Sequence, residues 1–123
     1  MISLDIIDYI EAGEELYAAN QVTQARSNFL EALSLAPKDP QMHNRLGMLE
    51  MSVGNSTKAM VYYQEACKLA PDVARYRMRL GDSLQRQKKF EDAIQAYAAS
   101  LELEPKNAPA WNNRGFANFN INR

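Results

Sequence analysis

Cysteine and histidine are nearly missing from this chain: Cys67 and His43 are the only examples in 123 residues. One thiol excludes an internal disulfide framework and any cysteine-based zinc site, and neither metal nor cofactor is expected. No apolar run approaches the ~20 residues that cross a bilayer, so membrane insertion is not expected. The first fifteen residues hold five acids and no base, unlike a secretory signal. With a lone cysteine and no signal, a reducing compartment follows, and the expectation is cytoplasmic. Net charge is also missing, since fourteen bases against fifteen acids leave -1. Any electrostatic recognition must therefore be local.

Catalytic sets are missing too. The five glycines stand singly, so no glycine-rich loop can cradle a phosphate. His43 and Cys67 fall in different helical segments, and Cys67 shares a column with Leu33 and Leu101, which reads as a buried structural thiol. The acid pairs Glu14 with Glu15 and Glu91 with Asp92 are explained by solvation at helix starts and exposed faces. The sequon Asn55-Ser56-Thr57 sits where a turn and a helix cap are needed. No enzyme is expected.

What the chain has is a period. Hydrophobic residues make up 46% and charged residues 24%, a folded, water-soluble composition. Glycines recur at Gly13, Gly47, Gly81 and Gly115, alanines at Ala25, Ala59 and Ala93, aromatics at Phe29, Tyr63 and Tyr97, and prolines at Pro37, Pro71 and Pro105, each step being 34 residues. Within each period the apolar spacing is helical, predicting helices over 6–19, 22–35, 40–53, 56–69, 74–87, 90–103 and 108–121. Turns are expected at Asn20, at Gly54 with Asn55, and at Lys88, the poorest fit to a left-handed backbone. Ser56 and Thr57 supply N-cap oxygens for the fourth helix, and the prolines stop each second helix. Glycine in one helix and alanine in the next let the two backbones approach, with the aromatic filling the space beside them. A helix pair alone leaves one face bare, so the pairs must stack serially into an all-α solenoid of antiparallel helix pairs.

The runs Leu80-Gly81, Leu84, Ala93, Tyr97, Pro105, then Leu46-Gly47, Ala59, Tyr63, Ala66, Pro71, and Ala12-Gly13, Leu16, Ala25, Phe29, Ala32, Pro37 resemble the tetratricopeptide repeat family. The expected organisation is a single domain over 1–123, with repeats near 6–39, 40–73 and 74–107 and a partial fourth, opened by Trp111 and Gly115, over 108–123. Two aromatic columns depart from the pattern: Tyr9, His43, Arg77, Trp111 and Leu16, Glu50, Leu84, Asn118. Their polar members predict looser packing.

The resemblance implies a right-handed superhelix of seven helices, with the first helix of each pair lining a concave, peptide-binding groove. That groove would present Ile10, Glu14 and Tyr17, then Gln41, Asn44, Met48 and Met51, then Arg75, Met78, Asp82 and Arg86, and finally Asn112, Phe116 and Phe119. Methionine adapts to apolar anchors, and asparagine, glutamine and arginine pair with backbone or carboxylates. Filling gaps between repeats is the alternative for Met48, Met51 and Met78. One subset of the family clamps a C-terminal carboxylate. Its positions here hold Ile10, Glu14, Arg45, Arg75 and Arg79, an apolar residue and an acid replacing two donors, so that subset does not fit. A second subset carries an asparagine ladder, where this chain has Glu11, Arg45, Arg79 and Asn113, and it also fails to match. Residues 75–89 hold six bases against Asp82 alone. They read as a site for an acidic peptide or as a solvated surface scattered over several faces, and nucleic acid is not the expected partner. The expected function is a non-catalytic scaffold for a protein or peptide partner. The alternatives are self-assembly as a dimer or oligomer, since Trp111, Phe116 and Phe119 lack a covering second helix, and weak nucleic-acid binding through the basic residues 75–89.

Overall fold

The computed structural model describes residues 4–121. It holds α1 (Ile6–Ala18), α2 (Val22–Leu35), α3 (Pro40–Ser52), α4 (Ser56–Leu69), α5 (Ala74–Arg86), α6 (Phe90–Leu103) and α7 (Ala108–Ile121), with no strand among the described residues. Residues 1–3 and 122–123 of the expected domain lie outside them.

The helix ends follow from local chemistry. Asp5 and Asp8 form a reciprocal capping box at the start of α1. The Asp39 side chain accepts from the Gln41 amide at 2.9 Å and Pro40 takes the first position of α3, where a missing N–H costs nothing. At α4 the expectation fails: Ser56 and Thr57 are already helical, and Asn55 is the cap, accepting from the Lys58 amide at 3.3 Å. Helices α1, α3 and α5 each end one residue earlier than their periodicity predicts, because the chain swings into left-handed backbone at Asn20 (φ 61), Gly54 (φ 81) and Lys88 (φ 62). The same amide-to-carbonyl bond closes all three turns: Gln21 to Leu16, Asn55 to Glu50 and Lys89 to Leu84, at 2.8, 2.8 and 2.9 Å.

Each helix packs against its successor in chain order, so the pairs α1/α2, α3/α4 and α5/α6 stack one after another with α7 on the end. The contact inside a pair is more specific than close backbones. A Cβ on Gly13 would lie 2.5 Å from the Phe29 ring, one on Gly47 2.5 Å from Tyr63, and one on Gly81 2.6 Å from Tyr97. Each aromatic ring thus occupies the volume that any other residue's side chain would need. Ala25, Ala59 and Ala93 are completely buried beside these rings.

At Glu50 the structure does not hold the looser packing expected of the polar departures. Glu50 is 1% exposed, and Arg26 of α2 grips it with two bonds, Nε to Oε2 at 2.9 Å and Nη2 to Oε1 at 3.1 Å. A charge sits where an apolar residue belongs because a guanidinium from the preceding repeat reaches it. The other column anchors the loops: His43 Nε2 lies 2.9 Å from the Pro37 carbonyl, Arg77 Nε donates to the Pro71 carbonyl at 3.2 Å, and Trp111 Nε1 donates to the Pro105 carbonyl at 2.7 Å. Three unlike side chains share one function, presenting an N–H to a carbonyl six residues back.

Candidate binding trough

Two adjacent hollows run along the first helices of the stacked pairs. The first, about 320 Å³, is bounded by Glu14 and Tyr17 of α1, Gln41, Asn44, Arg45 and Met48 of α3, and Arg75 of α5, with Phe29 of α2 reaching in. The second, about 270 Å³, is bounded by Met51, Ser52 and Tyr63 and by Arg79, Asp82 and Arg86 of α5. Tyr17 and Met48 line both, so the hollows share a wall and form one trough. The first lies at the lower end of the about 300–1,000 Å³ of pockets that enclose a whole small molecule, and the second just below it.

Two of the rings that cover the glycines also reach this trough, and the third is bonded to a residue that lines it. Phe29 lines the first hollow and the Tyr63 side chain lines the second. The Tyr97 hydroxyl donates to Asp82 Oδ1 at 2.5 Å, an oxygen that also accepts from Asn113 Nδ2 at 3.0 Å. Burial pushes the Tyr63 hydroxyl up to about 12. Burial, together with the Asp82 carboxylate, raises Tyr97 much further, so both remain proton donors. Burial also raises Asp82 above the usual carboxylate range, against the lowering effect of the Tyr97 and Asn113 hydrogen bonds and of Arg79 and Arg86.

Charge along the trough is uneven. Arg45 Nε lies 3.1 Å from Glu14 Oε1, an ion pair between α3 and α1. Arg75, Arg79, Asp82 and Arg86 recur at helical spacing on one stripe of α5. No ion pair within the described residues involves Arg75, Arg79 or Arg86, and Arg75 lies over the Tyr76 ring, 5.0 Å from its centre. Scatter of the bases over several faces is therefore only half the picture. Three share the trough, while Arg77 is tied to Pro71 and Lys88 and Lys89 lie in the turn before α6.

Of the sequence-predicted groove residues, Glu14, Tyr17, Gln41, Asn44, Met48, Met51, Arg75, Asp82 and Arg86 come together here. Met78 does not, since it packs against the core cluster of Leu84, Ala93 and Tyr97. Ile10 is likewise partly buried against the first core cluster. Asn112, Phe116 and Phe119 lie on α7 outside both hollows and are exposed. Residues missed from the sequence are Arg45, Arg79 and Ser52, and the rings of Phe29 and Tyr63, whose packing role concealed their tips. Cys67 is buried and its thiol pushed up by that burial, as a structural thiol should be. Among the described residues no cluster of His, Cys, Asp and Glu could hold a metal, and no helix is long and apolar enough to cross a membrane.

A tetratricopeptide repeat model matches residues 10–74 and a second TPR repeat model matches 81–122. The chain is 35% identical over 75 residues to the tetratricopeptide repeat-containing protein trd-1 of Caenorhabditis elegans, an alignment covering 60% of this chain and 10% of that protein. It is 31% identical over 90 residues to the peroxisomal targeting signal receptor of Saccharomyces cerevisiae, covering 73% of this chain and 15% of that one. The chain thus spans a small part of these relatives' length. Among solved structures, it superposes on the first TPR of Spaghetti (RPAP3) bound to the HSP90 peptide SRMEEVD with a TM-score of 0.91, at 19% identity, covering 100% of this chain and 98% of that one. The Sgt2 TPR domain from Aspergillus fumigatus matches with a TM-score of 0.87, at 19% identity, over 95% of this chain and 79% of that one. At such identity these two establish the fold.

Proposed function

This chain belongs to the tetratricopeptide repeat family, and from that premise we propose that its trough holds an extended segment of a partner protein without catalysing any reaction on it. The observation that carries this reading is the pairing of the shared Tyr17–Met48 wall with the arginine stripe of α5. An apolar side chain fits against the wall, because a thioether and a phenol ring adapt to its shape. An acidic side chain fits opposite Arg75, Arg79 or Arg86, since Glu14 and Asp82 are already engaged by Arg45, Tyr97 and Asn113. Along α5 the rise of about 1.5 Å per residue separates Arg75 from Arg79 by about 6 Å. Two residues of an extended chain cover about the same distance. The segment favoured is therefore extended, with carboxylates at alternate positions beside an apolar anchor.

A peptide array scored by fluorescence anisotropy tests this. Acidic peptides containing one leucine or phenylalanine should bind, basic and purely polar ones should not, and affinity should fall as salt rises. Arg75→Ala with Arg86→Ala should weaken the acidic peptides by roughly tenfold or more, as the loss of charge-assisted contacts predicts. Binding that ignores peptide charge, or that survives this double change intact, would sink the trough as the site.

A further inference from the structure

We propose that Met48 is a site of reversible oxidation, where a hydroperoxide converts the thioether to a sulfoxide and thereby weakens the hold on a partner; this rests on the trough being the binding site. Oxidation of sulfur follows access. Met42 is completely buried, Met51, Met60 and Met78 are partly buried, and Met48 alone of the described methionines is exposed, at 37%. The one thiol, Cys67, is buried. Burial raises its pKa and so withholds the thiolate that a peroxide would attack.

Position makes that exposure consequential. Met48 lines both hollows and, with Tyr17, forms the wall they share, whereas Met51 lines the second hollow only. The Met48 sulfur already receives Asn44 Nδ2 at 3.6 Å, a weak contact because a thioether is a weak acceptor. Gln41, Arg45 and Arg75 bring three more donor side chains to the first hollow, against the single carboxylate of Glu14. An oxygen added to this sulfur therefore enters a hollow rich in donors.

The step needs no group from the protein. A lone pair on Sδ attacks one peroxide oxygen, the O–O bond breaks, and the other oxygen leaves as water after taking the proton. Sulfur loses two electrons and the peroxide gains them. The sulfoxide oxygen is a strong acceptor, so the wall against which an apolar side chain would lie becomes polar. The same oxygen competes for Arg75, the guanidinium assigned above to a partner's carboxylate. Two thiols reverse the step, returning the thioether with release of water and a disulfide.

Titration of the full chain with hydrogen peroxide tests the proposal. Peptide mapping by mass spectrometry follows each methionine, and fluorescence anisotropy follows binding of an acidic, leucine-containing peptide. Of the described methionines, Met48 should oxidise first and Met42 last. Oxidised protein should bind roughly tenfold more weakly, as expected when one apolar contact turns polar. Sulfoxide reductases of both stereospecificities, supplied with a dithiol, should restore the affinity. Met48→Leu, whatever its starting affinity, should not change on oxidation, while Met60→Leu should keep the tenfold loss. Circular dichroism verifies that each protein retains its helices before and after peroxide. Oxidation of Met51 ahead of Met48, equal binding by oxidised and reduced protein, or a Met48→Leu variant that weakens on oxidation as the wild type does would each overturn the proposal and leave the trough standing as the binding site. Reduced protein that binds no acidic peptide would overturn both.

Discussion

Two carboxylates, Asp82 half-buried and Glu50 buried, show how residue context sets the cost of charge. Asp82 accepts both of its hydrogen bonds on Oδ1, so Asp82→Asn keeps an acceptor at that atom while removing the charge. Burial raises the folded pKa of Asp82 above its ordinary 3.8. The folded state therefore holds this proton more tightly than the unfolded chain, and stability from the group is fully present below pH 3.8 and is lost as pH rises through the folded value. Urea denaturation should find Asp82→Asn more stable than wild type at pH 7, with the advantage shrinking toward pH 3. A gap independent of pH would mean that the carboxylate carries no net cost. Glu50 is the opposite case, because Arg26 meets it with two bonds. Arg26→Met strands a side chain only 2% exposed, and should cost about 3 kcal/mol, while adding Glu50→Leu should restore most of that. Thermal melts of the single and double variants check the asymmetry, and equal losses would show that the pair acts through packing alone.

At the scale of the element, glycine has opposite values in helices of the same repeat column. Gly81→Ala must displace the Tyr97 ring, since the new Cβ would sit 2.6 Å from its Cε1. With Tyr97 also tied to Asp82, the ring cannot simply turn away, and the change should cost about 1–3 kcal/mol. Gly115→Ala meets nothing and should gain up to about 1 kcal/mol of helix propensity. Chemical denaturation of dilute protein compares the two, and similar signs would contradict the ring-on-glycine geometry. The helices themselves were readable in the sequence because a 34-residue period repeats every breaker, and even Lys88 adopts the left-handed backbone that its position demanded. Nine of the fourteen residues assigned to the groove gather in the trough for the same reason: a column of the repeat is a line along the stack. What could not be read was anything made between columns. Arg26 meets Glu50 across 24 residues, and Asn113 meets Asp82 across 31, pairings outside the period. Tyr63 and Tyr97 fitted a packing role so completely that the place of Tyr63 on the trough and the bond from Tyr97 to Asp82 went unforeseen. Met78 shares a column with groove residues but turns into the core, where Asn107 Nδ2 lies 3.8 Å from its sulfur.

For the whole molecule, serial stacking means that stability is distributed along the chain. Each helix owes its burial to neighbours, so a helix with two full neighbours should open less readily than one with a single neighbour. Helices α3, α4 and α5 contribute Met42, Leu46, Leu49, Tyr63 and Tyr76 to the core at 2% exposure or less. Helix α7 buries only Ala110 and Ala117, small side chains that lie against α6 and the end of α5. Native-state amide exchange in dilute protein should therefore rank α7 lowest, with opening at least tenfold more frequent than in α4, a difference of about 1.4 kcal/mol. Uniform protection from α1 to α7 would mean that the stack opens as one cooperative unit.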